Sequence, residues 1–273
     1  MIDLGAYLSR IGHHGPVRTD LDTLRKIHRA HASAIPYENL DVQLKRALTI
    51  DPYSAFDKIV NRGRGGWCYE MNGSLGVALQ AMGFNVQRLA GSGSGPNSHL
   101  TLNVELEGAT YVCDVGTADG PGEPYLLKAG TFVDDGFEFR VEIEGEDRWR
   151  FHNHRFGMVP GFIAHGPNED GMEATCQWLQ SSPESPFVQH ATICRRVADG
   201  YVSLIDRTLR HVKPDGVTRS TVESADAWVS ALKWHFDIDL PEAAALWPSL
   251  CERHEAYLRE SAARKAAKAA GVK

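Results

Sequence analysis

The hydrophobic period of this chain changes at Gly83, and that change constrains its fold more than any other feature. Before it, apolar residues recur at helical spacing; after it they alternate, and a period of two demands strands. Leu4, Leu8 and Ile11 predict a first helix. Leu21, Leu24, Ile27 and Ala30 predict a second, which must stop before Pro36 because the residue preceding a proline is pushed out of helical geometry. Asp51-Pro52 reads as an N-cap and first-turn pair ahead of Phe56, Ile59 and Val60. Cys68 opens a further helix with Leu75, Leu79 and Met82 on one side and Gly83 as its stop.

Beyond Gly83, residues 84–90 read as a strand and 91–98, rich in glycine and serine, as a flexible connector. Leu100, Leu102, Val104 and Leu106 then alternate with His99, Thr101, Asn103 and Glu105. Glu107-Gly108 predicts a two-residue turn into a second strand, 109–115. Further alternation runs through Phe137, Phe139, Val141 and Ile143, then Trp149 and Phe151, and a hairpin is expected around Asp199-Gly200. The end returns to helix at 224–236 and 241–259, followed by an Ala/Lys/Arg tail with no apolar stripe, expected to be a solvated or frayed end.

A chain of 273 residues can bury a large core, and its formal charge of -6 argues against nucleic acid or an anionic membrane as partner. The N-terminus lacks a signal-peptide pattern, and no apolar run approaches the length of a transmembrane helix, so a cytoplasmic setting is expected. The five cysteines, Cys68, Cys113, Cys176, Cys194 and Cys251, form no CxxC pair and suggest neither a disulfide framework nor a zinc site.

Cys68 differs from the other four in its surroundings. It follows the glycine turn Gly63-Arg64-Gly65-Gly66 and begins a helix, where the positive end of the helix dipole and the nearby Arg62 and Arg64 are expected to favour the thiolate. The hairpin supplies partners. A two-residue turn at Glu107-Gly108 sets Leu106 against Ala109, Val104 against Tyr111 and Thr101 against Asp114. His99 and Asp114 then project from one face as diagonal neighbours; a slip of one residue would separate them. This suggests Cys68 as nucleophile, His99 as its base and Asp114 as the group that orients His99.

The order helix-borne cysteine, strand-borne histidine, strand-borne aspartate is that of the papain and transglutaminase arrangement. The segment Arg64-Gly65-Gly66-Trp67-Cys68-Tyr69-Glu70-Met71-Asn72, with Ile35-Pro36-Tyr37-Glu38-Asn39-Leu40-Asp41 upstream, closely resembles the arylamine N-acetyltransferases. Ser98-His99-Leu100, Tyr111-Val112-Cys113-Asp114-Val115-Gly116 and Ser182-Pro183-Glu184-Ser185-Pro186-Phe187 follow in family order. The resemblance implies an α+β fold in three parts: an N-terminal helical bundle (1–83), a central antiparallel β-barrel-like domain (84–190) and a C-terminal α/β lid (191–273). It also implies acetylation of Cys68 by acetyl-coenzyme A as co-substrate, no tightly bound cofactor, and transfer to a small aromatic amine, hydrazine or hydroxylamine. Tyr37 fits the family's aromatic acceptor pocket, and Thr117 stands where a phenylalanine is usual, leaving the acceptor preference open. Gly95 and Ser98, at the end of the connector into His99, are expected to approach the coenzyme A thiol arm.

Other residues have plainer readings. Cys113, Cys176, Cys194 and Cys251 are expected to pack as small apolar groups. The remaining histidines, His13, His14, His152 and His154 among them, are expected on the surface or in loops, with no metal site. Arg64, Glu38 and Glu70 suggest a buried ion network under the nucleophile, with Asn39 and Asn72 bracing it. Trp67 and Tyr69 suit either the cleft or the core. A thiol amidohydrolase with the same three residues, or an inactive binding protein of the same fold, are the alternatives.

Overall fold

The computed structural model describes residues 2–269. Four helices precede the helix that Cys68 opens: α1 (Leu4–Arg10), α2 (Leu21–Ala34), α3 (Leu40–Gln43) and α4 (Pro52–Phe56), with a short strand β1 (Tyr37–Glu38) between the second and third. Asp3, Asp20 and Asp51 cap α1, α2 and α4 through their carboxylates, satisfying donors that have no intrahelical partner. A π-helical turn, Asp57–Asn61, follows α4. Helix α5 (Cys68–Ala81) is apolar on nearly all sides because it lies in the middle of the molecule, with the first helices on one flank and the large sheet on the other.

The start of α5 is fixed by a buried charge cluster. Lys58, from the π turn, bonds both Glu70 oxygens at 2.9 Å and Asp41 at 2.8 Å. Arg64 bonds Glu38 at 2.6 Å and Asp41 at 3.3 Å. Glu70 also accepts the backbone N–H of Trp67, closing the helix N-terminus. Gly65 is obligatory here: a Cβ on it would lie 2.0 Å from the carbonyl oxygen of Pro36. The expected trio of Arg64, Glu38 and Glu70 is thus a quintet, to which Lys58 and Asp41 belong.

The strands β2 (Asn85–Ser92), β3 (His99–Leu106), β4 (Ala109–Cys113), β5 (Tyr125–Leu126), β6 (Gly130–Asp134), β7 (Phe137–Ile143), β8 (Arg148–His152) and β9 (Gly161–His165) form an antiparallel sheet in the order β5-β4-β3-β2-β9-β8-β7-β6. Its edge strands β5 and β6 are joined by residues 127–129, and Tyr125 stacks on Phe132 at 5.0 Å, so the sheet curls into a half-barrel around Phe139, Trp149, Phe151 and Phe162. The β3–β4 register is Leu106 to Ala109, Val104 to Tyr111 and Leu102 to Cys113. Glu107 and Gly108 both have positive φ, the signature of the two-residue hairpin turn.

Helices α6 (Glu169–Ser181) and α7 (Pro186–Gln189) lead to a second antiparallel sheet, β10 (Thr192–Val197), β11 (Gly200–Ile205), β12 (Thr208–Lys213) and β13 (Gly216–Thr221), which β1 joins at its edge beside β10. Helix α8 (Ala225–Phe236) covers it with Trp228, Leu232 and Phe236; a 3-10 segment (Pro241–Leu246) and α9 (Trp247–Ala269) end the described chain. The backbone of the tail continues α9, and its side chains from residue 263 on lie outside those described. Helix α6 interrupts what the sequence suggests is an all-strand middle. Its signals are local: Asn168 as N-cap, Glu169 and Asp170 in the first turn, and Met172, Cys176 and Leu179 at helical spacing. No helix among the described residues is long and apolar enough to cross a membrane.

Replacing Lys58 by methionine leaves Glu38, Asp41 and Glu70 buried together with one cation. Removing one partner of a buried charge set typically costs about 3 kcal/mol or more. Lys58→Met is expected to lower the urea midpoint accordingly; an unchanged midpoint would show that the cluster is not what holds the start of α5.

Candidate active site

Cys68 is the first residue of α5, and its thiol donates to the carbonyl of Ser98 at 3.6 Å. That contact brings the end of the 93–98 connector, and hence His99, against the sulfur. His99 Nε2 donates to Asp114 Oδ2 at 2.7 Å, which leaves Nδ1 for Cys68. The β3–β4 ladder ends at Leu102–Cys113, one step short of Thr101–Asp114, yet the two side chains still meet on the shared face.

Asp114 is wrapped by donors. Oδ1 accepts from Asn72 Nδ2 at 2.9 Å and from the backbone N–H groups of Gly116 and Thr117 at 2.9 and 3.0 Å. Oδ2 accepts from His99 and from the Thr117 hydroxyl at 3.1 Å. Asn72 lies one turn after Cys68 on the same face of α5, and its Oδ1 accepts the N–H of Val115 at 2.9 Å, so one helix face carries the sulfur and clasps the aspartate loop. Gly116 permits this approach: a Cβ there would lie 2.8 Å from Cys68 Cα and 2.6 Å from Asn72 Nδ2.

The charges follow from these contacts. Burial raises the Asp114 carboxyl, but His99, Asn72 and the backbone donors outweigh it and hold it below the usual carboxylate range. Burial lowers the His99 imidazole, but Asp114 and the Cys68 sulfur outweigh it and raise it to about 10. The arrangement therefore favours an imidazolium held between a carboxylate and a sulfur, the form that accompanies a reactive thiolate.

Behind the site stands His28, from α2. Its Nδ1 donates to the Gly122 carbonyl at 2.8 Å, so Nε2 is free to accept the backbone N–H of Asp114 at 3.0 Å. Burial lowers the His28 imidazole to about 4 and keeps it neutral, as that acceptor role requires.

Cys68 and His99 border a cavity of about 320 Å³, lined also by Tyr37, Thr117, Ser98, Met158, Phe162 and Phe187. Its wall is mostly apolar and draws on residues from Tyr37 to Ile205. Phe162 lies against His99 with ring centres 4.4 Å apart, and Phe187 meets Trp67 edge-on at 5.3 Å. Among the described residues no His/Cys/Asp/Glu cluster suits a metal ion.

The sequence model of the N-acetyltransferase family matches residues 20–245. The chain is 33% identical over 213 residues to the arylamine N-acetyltransferase of Escherichia coli K12, covering 72% of this chain and 74% of that protein. It is 32% identical over 259 residues to that of Mycolicibacterium smegmatis, covering 89% and 94%. The chain belongs to the arylamine N-acetyltransferase family. Among solved structures, the Mycobacterium marinum arylamine N-acetyltransferase in complex with CoA is similar with a TM-score of 0.81 and 28% identity, covering 88% of this chain and 94% of that one.

Within this family member several expectations change. Arg62 and Arg64 do not face the thiol: Arg62 pairs with Asp57 at 3.2 Å, and Arg64 is taken up by Glu38 and Asp41. Trp67 and Tyr69 belong to the core, and the Tyr69 hydroxyl donates to the Asn97 carbonyl at 2.5 Å. His28, His31 and His154 are buried rather than superficial. The first two continue the stripe Leu24, Ile27, His28, His31, which has helical spacing and was legible as such. His154 is buried between Phe137 and Tyr201, held by the Asp119 carbonyl. Ser98 lines the cavity with Gly93 and Ser94, whereas Gly95 is not on that wall; it ties the loop together through the Ser98 hydroxyl. Met158, Phe162 and Phe187 line the same cavity as Cys68, a placement that only the sheet's curl and α7 give them.

His28 generates a pH prediction. A histidine whose folded value lies near 4, against 6.5 when free, takes up its proton first in the unfolded chain, so its linked stability is lost as pH falls from about 6.5 toward 4. Glutamine can both donate to Gly122 and accept from Asp114 without titrating. His28→Gln is therefore expected to gain stability relative to the parent as pH falls through that window, read as urea midpoints at several pH values. A constant difference between the two would show that His28 is not the linked group.

Proposed function

We propose that this enzyme acetylates small aromatic amines, hydrazines or hydroxylamines from acetyl-coenzyme A through an acetyl group carried on Cys68. The observation that carries the reading is the Cys68–His99–Asp114 chain, with its 2.7 Å histidine–carboxylate bond, opening on an apolar cavity. Family membership supports the reaction class. The relative from Salmonella typhimurium, 32% identical, is an arylamine N-acetyltransferase and N-hydroxyarylamine O-acetyltransferase, and the M. marinum relative binds CoA.

In the first half-reaction the Cys68 sulfur attacks the thioester carbonyl carbon. The new C–S bond forms, the bond to the coenzyme A sulfur breaks, and the proton held on His99 is available to the departing thiolate. The two thiols are chemically alike, so acetyl exchange needs no large uphill step. In the second, the amine nitrogen attacks the acetyl carbon, the C–Sγ bond breaks and His99 receives the amine proton. Asp114 keeps the imidazole oriented and balances its charge in both directions. The Cys68 backbone N–H, at the first position of α5, has no intrahelical acceptor and is a donor for the developing oxyanion.

In this reading Tyr37, Thr117, Phe162 and Phe187 surround the acceptor, and the loop end at Gly95 and Ser98 meets the thiol arm of the donor. The organisation into parts near 1–83, 84–190 and 191–273, with a cytoplasmic setting that keeps the thiol reduced, completes the reading.

Free-thiol release from acetyl-coenzyme A separates transfer from hydrolysis. Release that depends on an added arylhydrazine is expected; equal release in its absence would favour a thiol hydrolase. Asp114→Asn is expected to fold and to lose about a thousandfold in turnover. Near-normal turnover would remove Asp114 from the mechanism.

A further inference from the structure

Thr117 does more than border the cavity. It is buried, and its hydroxyl oxygen lies 3.1 Å from Asp114 Oδ2 and 3.4 Å from His99 Nε2. Its backbone N–H donates to the other carboxylate oxygen at 3.0 Å. The hydroxyl has one proton, and His99 already directs its own Nε2–H to Asp114, so the Thr117 proton can only go to Asp114 Oδ2. The oxygen that holds His99 is therefore shared between two donors.

We propose that the Thr117 hydroxyl is a positioning residue that sets how strongly Asp114 holds the His99 imidazolium, and through it how readily the Cys68 thiolate forms. The inference rests on the triad reading above. A second donor to Oδ2 draws negative charge away from His99, because hydrogen bonds to a carboxylate stabilise its charge where they land. Without the hydroxyl, Oδ2 answers to His99 alone and the imidazolium–thiolate pair forms at lower pH. The remaining titratable neighbours are Cys68 on α5, His28 on α2, Cys113 on β4, Tyr125 on β5, and Tyr37 and Asp119 on the cavity wall. None of them bonds the Thr117 side chain among the described residues.

The test is the pH dependence of alkylation of the Cys68 peptide by iodoacetamide, followed by mass spectrometry. It needs no acetyl donor. Thr117→Val keeps the shape and removes the donor; its acid limb is expected to move about half a pH unit lower, making alkylation about threefold faster below the midpoint. Thr117→Ser restores a hydroxyl and is expected to follow the parent. Thr117→Ala provides the same deletion should the valine variant fold poorly. A lower plateau rate with an unmoved limb, or a limb moved upward, would overturn the inference, as would a serine variant that behaves like valine. A parent profile that follows simple thiol titration would instead contradict the triad reading itself.

Discussion

A carboxylate buried at the seam between a helix and a sheet must have its lone pairs filled, and the seam of this molecule is organised around Asp114. Helix α5 sends Asn72 to it, the hairpin sends His99, the loop that follows it returns two backbone N–H groups and a hydroxyl, and α2 sends His28 to its backbone. These groups come from α2, α5, the hairpin and the loop after it, so satisfying one charge fixes the relative placement of α2, α5 and the β3–β4 hairpin. The same placement puts the Cys68 sulfur beside His99. The position of the Cys68 thiol thus follows from the hydrogen bonding of a buried acid.

The other end of α5's first turn is fixed by opposite means. Glu70 is buried, and burial pushes its carboxyl up to about 7 even though Lys58 pulls it back. It still reaches the Trp67 N–H and, through Lys58 and Asp41, communicates with Arg64 and the strand that carries Tyr37. Such a cluster adds little net stability over an apolar core, but it admits few alternative arrangements. Between this cluster and the Asp114 clasp, the turn carrying Cys68 has little freedom to shift.

Much of this was legible because it is local. The change of period at Gly83, the caps Asp51 and Gly83 and the Glu107-Gly108 turn are properties of a few neighbouring residues, and the turn alone predicts the hairpin register that the structure has. His99 and Asp114 could therefore be paired from spacing. What was not legible depends on distant chain segments meeting. Lys58 is a solvent-like residue until the π turn and Glu70 enclose it, and Phe162 gains its place against His99 only from the sheet order, in which β2 lies beside β9. The two arginines near Cys68 misled for the same reason: proximity in sequence said nothing of Asp57, Glu38 and Asp41, which claim them.

The account stands on a covalent acetyl-Cys68 intermediate that can be isolated. The direct measurement is the mass of the intact protein and of its Cys68 peptide after exposure to acetyl-coenzyme A without acceptor and removal of excess donor. A gain of about 42 Da, one acetyl replacing the thiol hydrogen, confined to Cys68 and lost on adding an arylhydrazine is the predicted result. A protein that turns over the hydrazine while showing no such adduct, or one that carries it on another residue, would contradict the account.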